Sequence, residues 1–161
     1  KLSLKYKIYN MITIEEFKKK ISNKTRLIGL DLGSKRIGVS ICDDNQSIAT
    51  PYKTITKINN NELINELKSI ILENNIKGII IGNPLNMDGT TGRSAQSIND
   101  VASNISKVIN LPICLWDERL STVGAFNLSS QLDVNVTKRV KKIDQNAAAF
   151  ILQGAIDYLN N

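Results

Sequence analysis

The chain contains no histidine among its 161 residues. This absence excludes a Ser-His-Asp triad, a histidine general base and the common zinc-hydrolase sites. Any hydrolytic chemistry must therefore rest on carboxylates, and carboxylate oxygens suit hard divalent cations.

Cysteines are few and apolar runs are short. Cys42 and Cys114 each lie within an apolar, strand-like run and have no zinc-site spacing, so we interpret them as small buried hydrophobic residues. No apolar stretch approaches the roughly 18 residues of a membrane span, and the N-terminus lacks the features of a signal peptide. We therefore expect a cytoplasmic protein without a membrane partner.

Positive charge is concentrated at the N-terminus. The formal net charge is +6, but residues 1–26 hold eight Lys or Arg against two Glu, which leaves thirteen basic and thirteen acidic residues in 27–161. Residues 27–161 are therefore neutral overall, so local clusters of basic residues indicate a nucleic-acid contact better than the net charge does. The densest is Lys138, Arg139, Lys141 and Lys142, which could neutralise nucleic-acid phosphates. A solvated mobile loop is the alternative interpretation.

The length of the chain fits roughly one domain of ordinary size. Residues 1–10 precede Met11, and we treat them as an extension. Thr13, with Glu16 three residues later, predicts the capped start of a short helix that ends near Ile21. We expect this extension and helix to occupy residues 1–25, and a single domain to occupy residues 26–161.

Hydrophobic periodicity predicts three strands followed by alternating helices and strands. The short connections between the first three strands imply antiparallel neighbours. The predicted strands are 26–32, 36–42, 47–56, 77–81 and 112–116, and the predicted helices are 61–75, 93–109, 121–131 and 144–159.

Asp31 interrupts an apolar strand. Side chains alternate along a strand, so Asp31 shares one face with Gly29 and Gly33, which leave bare backbone beside the acid. A buried carboxylate usually protonates, pairs or binds a metal. Asp31 therefore indicates either a functional site with room for a metal and a phosphate or a structural ion pair.

Two further acidic positions stand at element ends. Asp117 and Glu118 end a predicted strand and point to opposite faces, so only one can share a metal with Asp31, and spacing does not choose between them. The alternative is that one of them pairs with Arg119, or that the acids favour the positive end of the following helix. Asp144 opens the last predicted helix on its sheet-facing side, where it could also serve as an N-cap.

A loop rich in glycine and hydroxyl residues, Gly82-Asn83-Pro84-Leu85-Asn86-Met87-Asp88-Gly89-Thr90-Thr91-Gly92, lies between a strand and a helix. Such a loop could direct backbone donors toward a phosphate at the helix N-terminus. A plain connecting loop, with Asp88 as a turn residue, explains the same pattern.

Four segments in this order resemble the YqgF/RuvX family of RNase H-like proteins. They begin at Gly29, Gly82, Asp117 and Asp144, and they read GLDLGSKRIGV, GNPLNMDG, DERLST and DQNAA. The resemblance covers about residue 26 to the C-terminus. All three acidic positions of the family are present.

The resemblance implies an α/β RNase H-like fold, with a mixed five-stranded sheet of order 3-2-1-4-5 flanked by helices. It implies that Asp31, Glu118 and Asp144 form the catalytic and metal-binding set, which resolves the choice between the two neighbouring acids in favour of Glu118. The implied cofactor is Mg²⁺ or Mn²⁺, held for phosphodiester hydrolysis. The basic residues that we expect to contact nucleic acid are Lys35, Arg36, Arg93, Arg119, Lys138, Arg139, Lys141 and Lys142.

The family is associated with trimming the precursor of 16S rRNA in ribosome biogenesis, and it is also described as Holliday junction resolvase-like. The implied partner is structured RNA or branched DNA, and the implied state is a monomer or a weak homodimer. Two other classes stay open: a non-catalytic nucleic-acid-binding factor, and a nucleotide-binding fragment of the actin and sugar-kinase type. The second class shares the turn around Asp31 but needs a second lobe to enclose ATP.

Overall fold

The computed structural model describes residues 11–56, 59–84, 93–120 and 136–161; the side chains of 93–95, 119 and 136–145 lie outside this description. The elements are β1 (Met11–Ile12), α1 (Ile14–Lys20), β2 (Arg26–Leu32), β3 (Arg36–Cys42), β4 (Ala49–Thr56), α2 (Asn60–Asn74), β5 (Ile76–Asn83), α3 (Arg93–Val108), β6 (Ile113–Asp117), a 3₁₀ turn (Glu118–Leu120) and α4 (Val136–Leu159). The helix predicted over 121–131 lies outside the described residues.

The described strands form one mixed sheet of order β1-β6-β5-β2-β3-β4. β2 pairs antiparallel with β3, and β3 with β4, whereas β2, β5 and β6 run parallel. The α/β class and the order of the five expected strands are confirmed. The count of five was wrong, because Met11–Ile12 adds a short parallel strand to the edge at β6; a two-residue strand carries too little pattern to be recognised.

Helices cover both faces of the sheet. α2 and α3 pack on one face against Ile28, Leu30 and Ile79, while α4 packs on the other against Leu27 and Ile80. Phe17 of α1 is fully buried on the α4 side. Its helix has the predicted start, because the Thr13 hydroxyl oxygen accepts a hydrogen bond from the Glu16 backbone N–H at 3.2 Å.

Both cysteines are buried and unbridged. Burial raises the pKa of the Cys114 thiol to about 12, because the apolar surroundings disfavour the thiolate. Among the described residues, no helix is long and apolar enough to cross a bilayer.

The last helix begins at Val136, well before the predicted start at residue 144. Asp144 therefore lies eight residues inside α4, and the alternative of an N-cap role for Asp144 was wrong. The basic cluster of residues 138–142 lies in the first turns of α4, so the interpretation as a loop was also wrong. Residues 136–142 contain few apolar residues and four cations, so the hydrophobic periodicity of a helix cannot be recognised there.

α4 is held close to the sheet by Ser40 and Gly29. The fully buried Ser40 hydroxyl donates to the Ala148 carbonyl oxygen at 2.7 Å. A Cβ atom at Gly29 would lie 2.6 Å from Leu152 Cβ and 2.5 Å from Ser40 Oγ. The helix can therefore approach the sheet only because residue 29 has no side chain.

We expect Gly29→Ala to destabilise the protein by about 1–3 kcal/mol, because overpacking forces α4 away from the sheet. The melting temperature should fall by roughly 3–10 °C. Thermal unfolding checks this result, with Ser40→Ala as a comparison that removes a hydrogen bond without adding volume. A melting temperature unchanged in Gly29→Ala would show that α4 does not depend on this contact.

Candidate active site

Asp31 and Glu118 lie on the α4 side of the sheet, at the carboxyl ends of β2 and β6, the two strands that flank β5. Asp31 follows Leu30, which is paired with Ile81, so the register brings Asp31 level with Gly82 of β5. A Cβ atom at Gly82 would lie 3.2 Å from the Glu118 carboxyl carbon, Cδ. The Cδ1 atom of Ile151, on α4, lies 2.5 Å from the same position. The absent side chain of Gly82 thus admits both Ile151 and the Glu118 carboxyl group on this side of the sheet.

The environment of Glu118 favours its protonated form. Burial, followed by the negative charges of Asp31 and Asp117, raises the pKa of Glu118 to about 7. Desolvation and like charges both disfavour a carboxylate, and a nearby cation would reverse the effect. At neutral pH, binding of a proton or a cation would therefore relieve the repulsion and the desolvation cost at this site.

Asp117 is on the other side of the sheet from Glu118. It pairs in register with Asn83, whereas Trp116, one residue earlier, packs against α4. The alternation of strand side chains then directs Asp117 toward the α2 and α3 side. The Asn83 Oδ1 atom is buried without a hydrogen-bond partner among the described residues.

The backbone of Asp144 lies toward the same end of the sheet as Asp31. α4 contacts the sheet at Ala148, over Gly29, and its later residue Ile156 packs with Leu27 near the start of β2. The helix therefore runs antiparallel to β2, and Asp144 is one helical turn before Ala148, in the direction of Asp31. The side chain of Asp144 lies outside the described residues, so its role stays a prediction.

The predicted nucleic-acid contacts fall in four places. Lys35 and Arg36 are exposed at the β2–β3 turn, directly beyond Asp31. The Gly33 N–H donates to the Arg36 carbonyl oxygen at 3.0 Å, which closes this turn. Arg93 begins α3, and Arg119 lies in the 3₁₀ turn after Glu118. The side chains of Arg93 and Arg119, and those of the cluster at 138–142, lie outside the description.

Two positions that shape the site were not singled out by the sequence patterns. The Ser40 hydroxyl ties α4 to the sheet, and Gly82 makes room for Ile151 of α4 and for the Glu118 carboxyl group. A hydroxyl in an otherwise apolar strand was the available signal for Ser40. Gly82 was assigned to the loop, whereas the structure places it and Asn83 in β5.

The donor chemistry of the site fits a divalent cation. Two carboxyl groups lie on the same side of the sheet, close enough for one to raise the pKa of the other. All their donor atoms are oxygens, which Mg²⁺ and Mn²⁺ prefer. No cluster of three candidate ligand side chains occurs within the described part of the chain; a third acid would have to come from beyond it.

A mixed sheet with helices on both faces, and with acids at the ends of the two strands that flank its central parallel strand, defines an RNase H-like α/β protein. RuvC from T. thermophilus, solved in complex with a Holliday junction substrate, shares this fold: the TM-score is 0.51 at 10% identity, with 83% of this chain and 94% of that chain covered. The chain belongs to the RuvX family, whose model, described as Holliday junction resolvase, matches residues 25–158.

Curated relatives agree with this assignment. A protein of Pelagibacter ubique (strain HTCC1062), named "Putative pre-16S rRNA nuclease", is 80% identical over 151 residues, which are 94% of this chain and 100% of that protein. A protein of the same name from Cereibacter sphaeroides (strain ATCC 17025 / ATH 2.4.3) is 45% identical over 148 residues, 92% of each chain.

Proposed function

We propose that this protein is a metal-dependent nuclease that hydrolyses phosphodiester bonds in the precursor of 16S rRNA. The observation that carries the proposal is the proximity of the Asp31 and Glu118 carboxyl groups on one side of the sheet, where the charge of Asp31 helps to raise the pKa of Glu118. The membership of the RuvX family and the names of the curated relatives support the reaction and the substrate.

In this proposal, Asp31, Glu118 and Asp144 hold one or two Mg²⁺ or Mn²⁺ ions. Such ions, when bound, supply an activated water and stabilise the charge on the leaving oxygen. Asp31 is held by a central strand, and Glu118 by the turn after β6, so neither ligand depends on a long mobile loop. α4 would bring Asp144 to the pair, at a height that Ser40 and Gly29 determine.

Lys35 and Arg36 would contact the phosphates next to the scissile bond, because they are exposed immediately beyond Asp31. Contacts of lysine or arginine with phosphate position a substrate but read no sequence. Arg93, Arg119 and the cluster in the first turns of α4 are further candidates for this contact surface.

The second candidate function is resolution of a four-way DNA junction, which the description of the family favours. Paired symmetric incisions normally require a twofold dimer with two aligned sites. A single site suits the trimming of an RNA end, so we rank the RNA substrate first.

A direct comparison of the two substrates tests the ranking of the RNA above the DNA junction. A precursor 16S fragment and a synthetic four-way junction are incubated with the protein under identical salt and Mg²⁺, and the products are mapped. We expect discrete cleavage of the RNA and slow or absent cutting of the junction. Rapid symmetric cutting of the junction, with the RNA intact, would reverse the assignment.

Neutralising the basic cluster should weaken RNA binding broadly. We expect the replacement of Lys138, Arg139, Lys141 and Lys142 by glutamine to flatten the slope of log affinity against log salt, by about 0.7–0.9 for each phosphate that the protein no longer neutralises. Fluorescence anisotropy at several salt concentrations measures this slope. An unchanged slope would remove the cluster from the RNA-binding surface.

A further inference from the structure

A group of exposed lysines lies at the end of the sheet opposite the carboxylates. Lys18, Lys19 and Lys20 end α1, and Lys24 follows in the next turn. We call these four residues the α1 lysine patch. All four side chains are exposed, and the two acids of α1 lie in its first turn, at the other end of the helix.

The patch is held rigidly on the body of the protein. Phe17 is fully buried, and its Cζ atom lies 2.6 Å from the position that a Cβ atom would take at Gly78. The Cδ1 atom of Ile21 lies 3.1 Å from the same position. Apolar side chains thus anchor both sides of the lysine run, so the backbone that carries these lysines keeps a fixed position relative to the sheet.

The patch and the carboxylate pair share one face of the sheet. Phe17 packs on the α4 side at Gly78, near the start of β5, and Glu118 lies over Gly82 on the same side. Four residues of strand separate these glycines, which corresponds to about 13 Å. Duplex nucleic acid advances about 3.4 Å per base pair, so this separation matches roughly four steps along a bound substrate.

Part of the patch also has a structural role. The Lys18 ammonium group donates to the carbonyl oxygen of Asn161, just beyond α4, at 3.3 Å. A cation is favourable near a helix C-terminus. Lys19 and Lys24 have no described ion pair or hydrogen bond in the part of the chain that the structure covers, so these two serve best for a test.

We propose that the α1 lysine patch is a second contact for the sugar-phosphate backbone of the substrate, at least about four nucleotides from the bond that is cleaved. The inference rests on the proposed nuclease function. Lysines on an anchored helix, on the face that carries the acidic pair, give the substrate a remote contact. The acidic pair repels phosphate, and this remote contact offsets the repulsion before cations bind.

The test compares two double variants that each remove two charges. Lys19→Gln/Lys24→Gln alters the patch, and Lys68→Gln/Lys107→Gln alters exposed lysines of α2 and α3 on the opposite face. Both are made in an Asp31→Asn background, so that RNA is bound without being cut. The probes are two duplex RNAs around the same cleavage site, one extending about three base pairs to each side and one about twelve.

For the long RNA, we expect the patch variant to lower the salt slope by about 1.8, because two phosphates are no longer neutralised. Its affinity should fall roughly tenfold at 0.1 M salt, while the control variant binds like the parent. Neither variant should change the affinity for the short RNA. Circular dichroism and melting temperature show whether each variant is folded.

An unchanged slope in the patch variant, or an equally reduced slope in the control variant, would overturn the inference. Equal weakening on the short and long RNAs would also overturn it, because the contact would then lie at the cleavage site. Failure of the proposed function is a separate result: the protein with Asp31 intact would leave both RNAs uncut, whereas the binding slopes would still decide the role of the patch.

Discussion

Asp31→Asn should reduce Mg²⁺-dependent cleavage on the order of 10³-fold or more while leaving the fold intact. The substitution keeps nearly the same volume but removes a charged metal ligand. Metal ions supply several kcal/mol of transition-state stabilisation in hydrolysis. The melting temperature without metal should stay the same or rise, because a like charge next to Glu118 disappears.

Single-turnover cleavage of a labelled precursor fragment, together with thermal unfolding in EDTA, measures both effects. Asp100→Asn is the matched control, because Asp100 is exposed on α3, on the far side of the sheet. Near-normal turnover by the Asp31 variant would remove Asp31 from the catalytic set. A collapse of its melting temperature would point to the structural ion pair that the sequence left open.

Glu118→Gln should abolish cleavage and stabilise the metal-free protein at neutral pH. The folded pKa of Glu118 is raised from 4.5 to about 7. The contribution of Glu118 to the stability of the parent protein is therefore fully present below about pH 4.5 and is lost as the pH rises from there through 7. Glutamine carries no charge at either pH, so the stability of the variant does not fall with pH in this way.

After allowance for solvent screening, the gain above pH 7 should be about 1 kcal/mol, or roughly 2–4 °C in melting temperature. Melting curves in EDTA between pH 5 and 8 measure it, and Glu73→Gln on α2 is the exposed control. Added Mg²⁺ should raise the melting temperature of the parent more than that of the variant. The prediction fails if the stability difference between parent and Glu118→Gln is independent of pH.

Much of the fold follows from hydrophobic pattern. The apolar runs of β2, β5 and β6 and the helical spacing of α2 locate these elements within a few residues, because each buries a continuous face. The start of α4 could not be located, since residues 136–142 are dominated by cations and have little apolar period. β1 was missed because two residues show no periodicity, and its partner on β6 is distant in sequence.

For the candidate site, local pattern identified Asp31 as an acid in an apolar strand but could not choose between Asp117 and Glu118. That choice depends on which side of β6 faces α4. Trp116 packs against α4, so Glu118, two residues later, lies on the α4 side, and Asp117 lies on the other. The roles of Ser40 and Gly82 depend on contacts between distant segments, which a single sequence does not display. Asp144 and the basic cluster of α4 stay predictions.

The most direct test of the central claim is the addition of Mg²⁺ to EDTA-treated protein with a labelled precursor 16S fragment. We expect no cleavage before the addition and a discrete product after it, with the product absent from both Asp31→Asn and Glu118→Gln. Cleavage that proceeds fully in EDTA, or that both variants retain, would contradict a metal-dependent nuclease built on these two carboxylates.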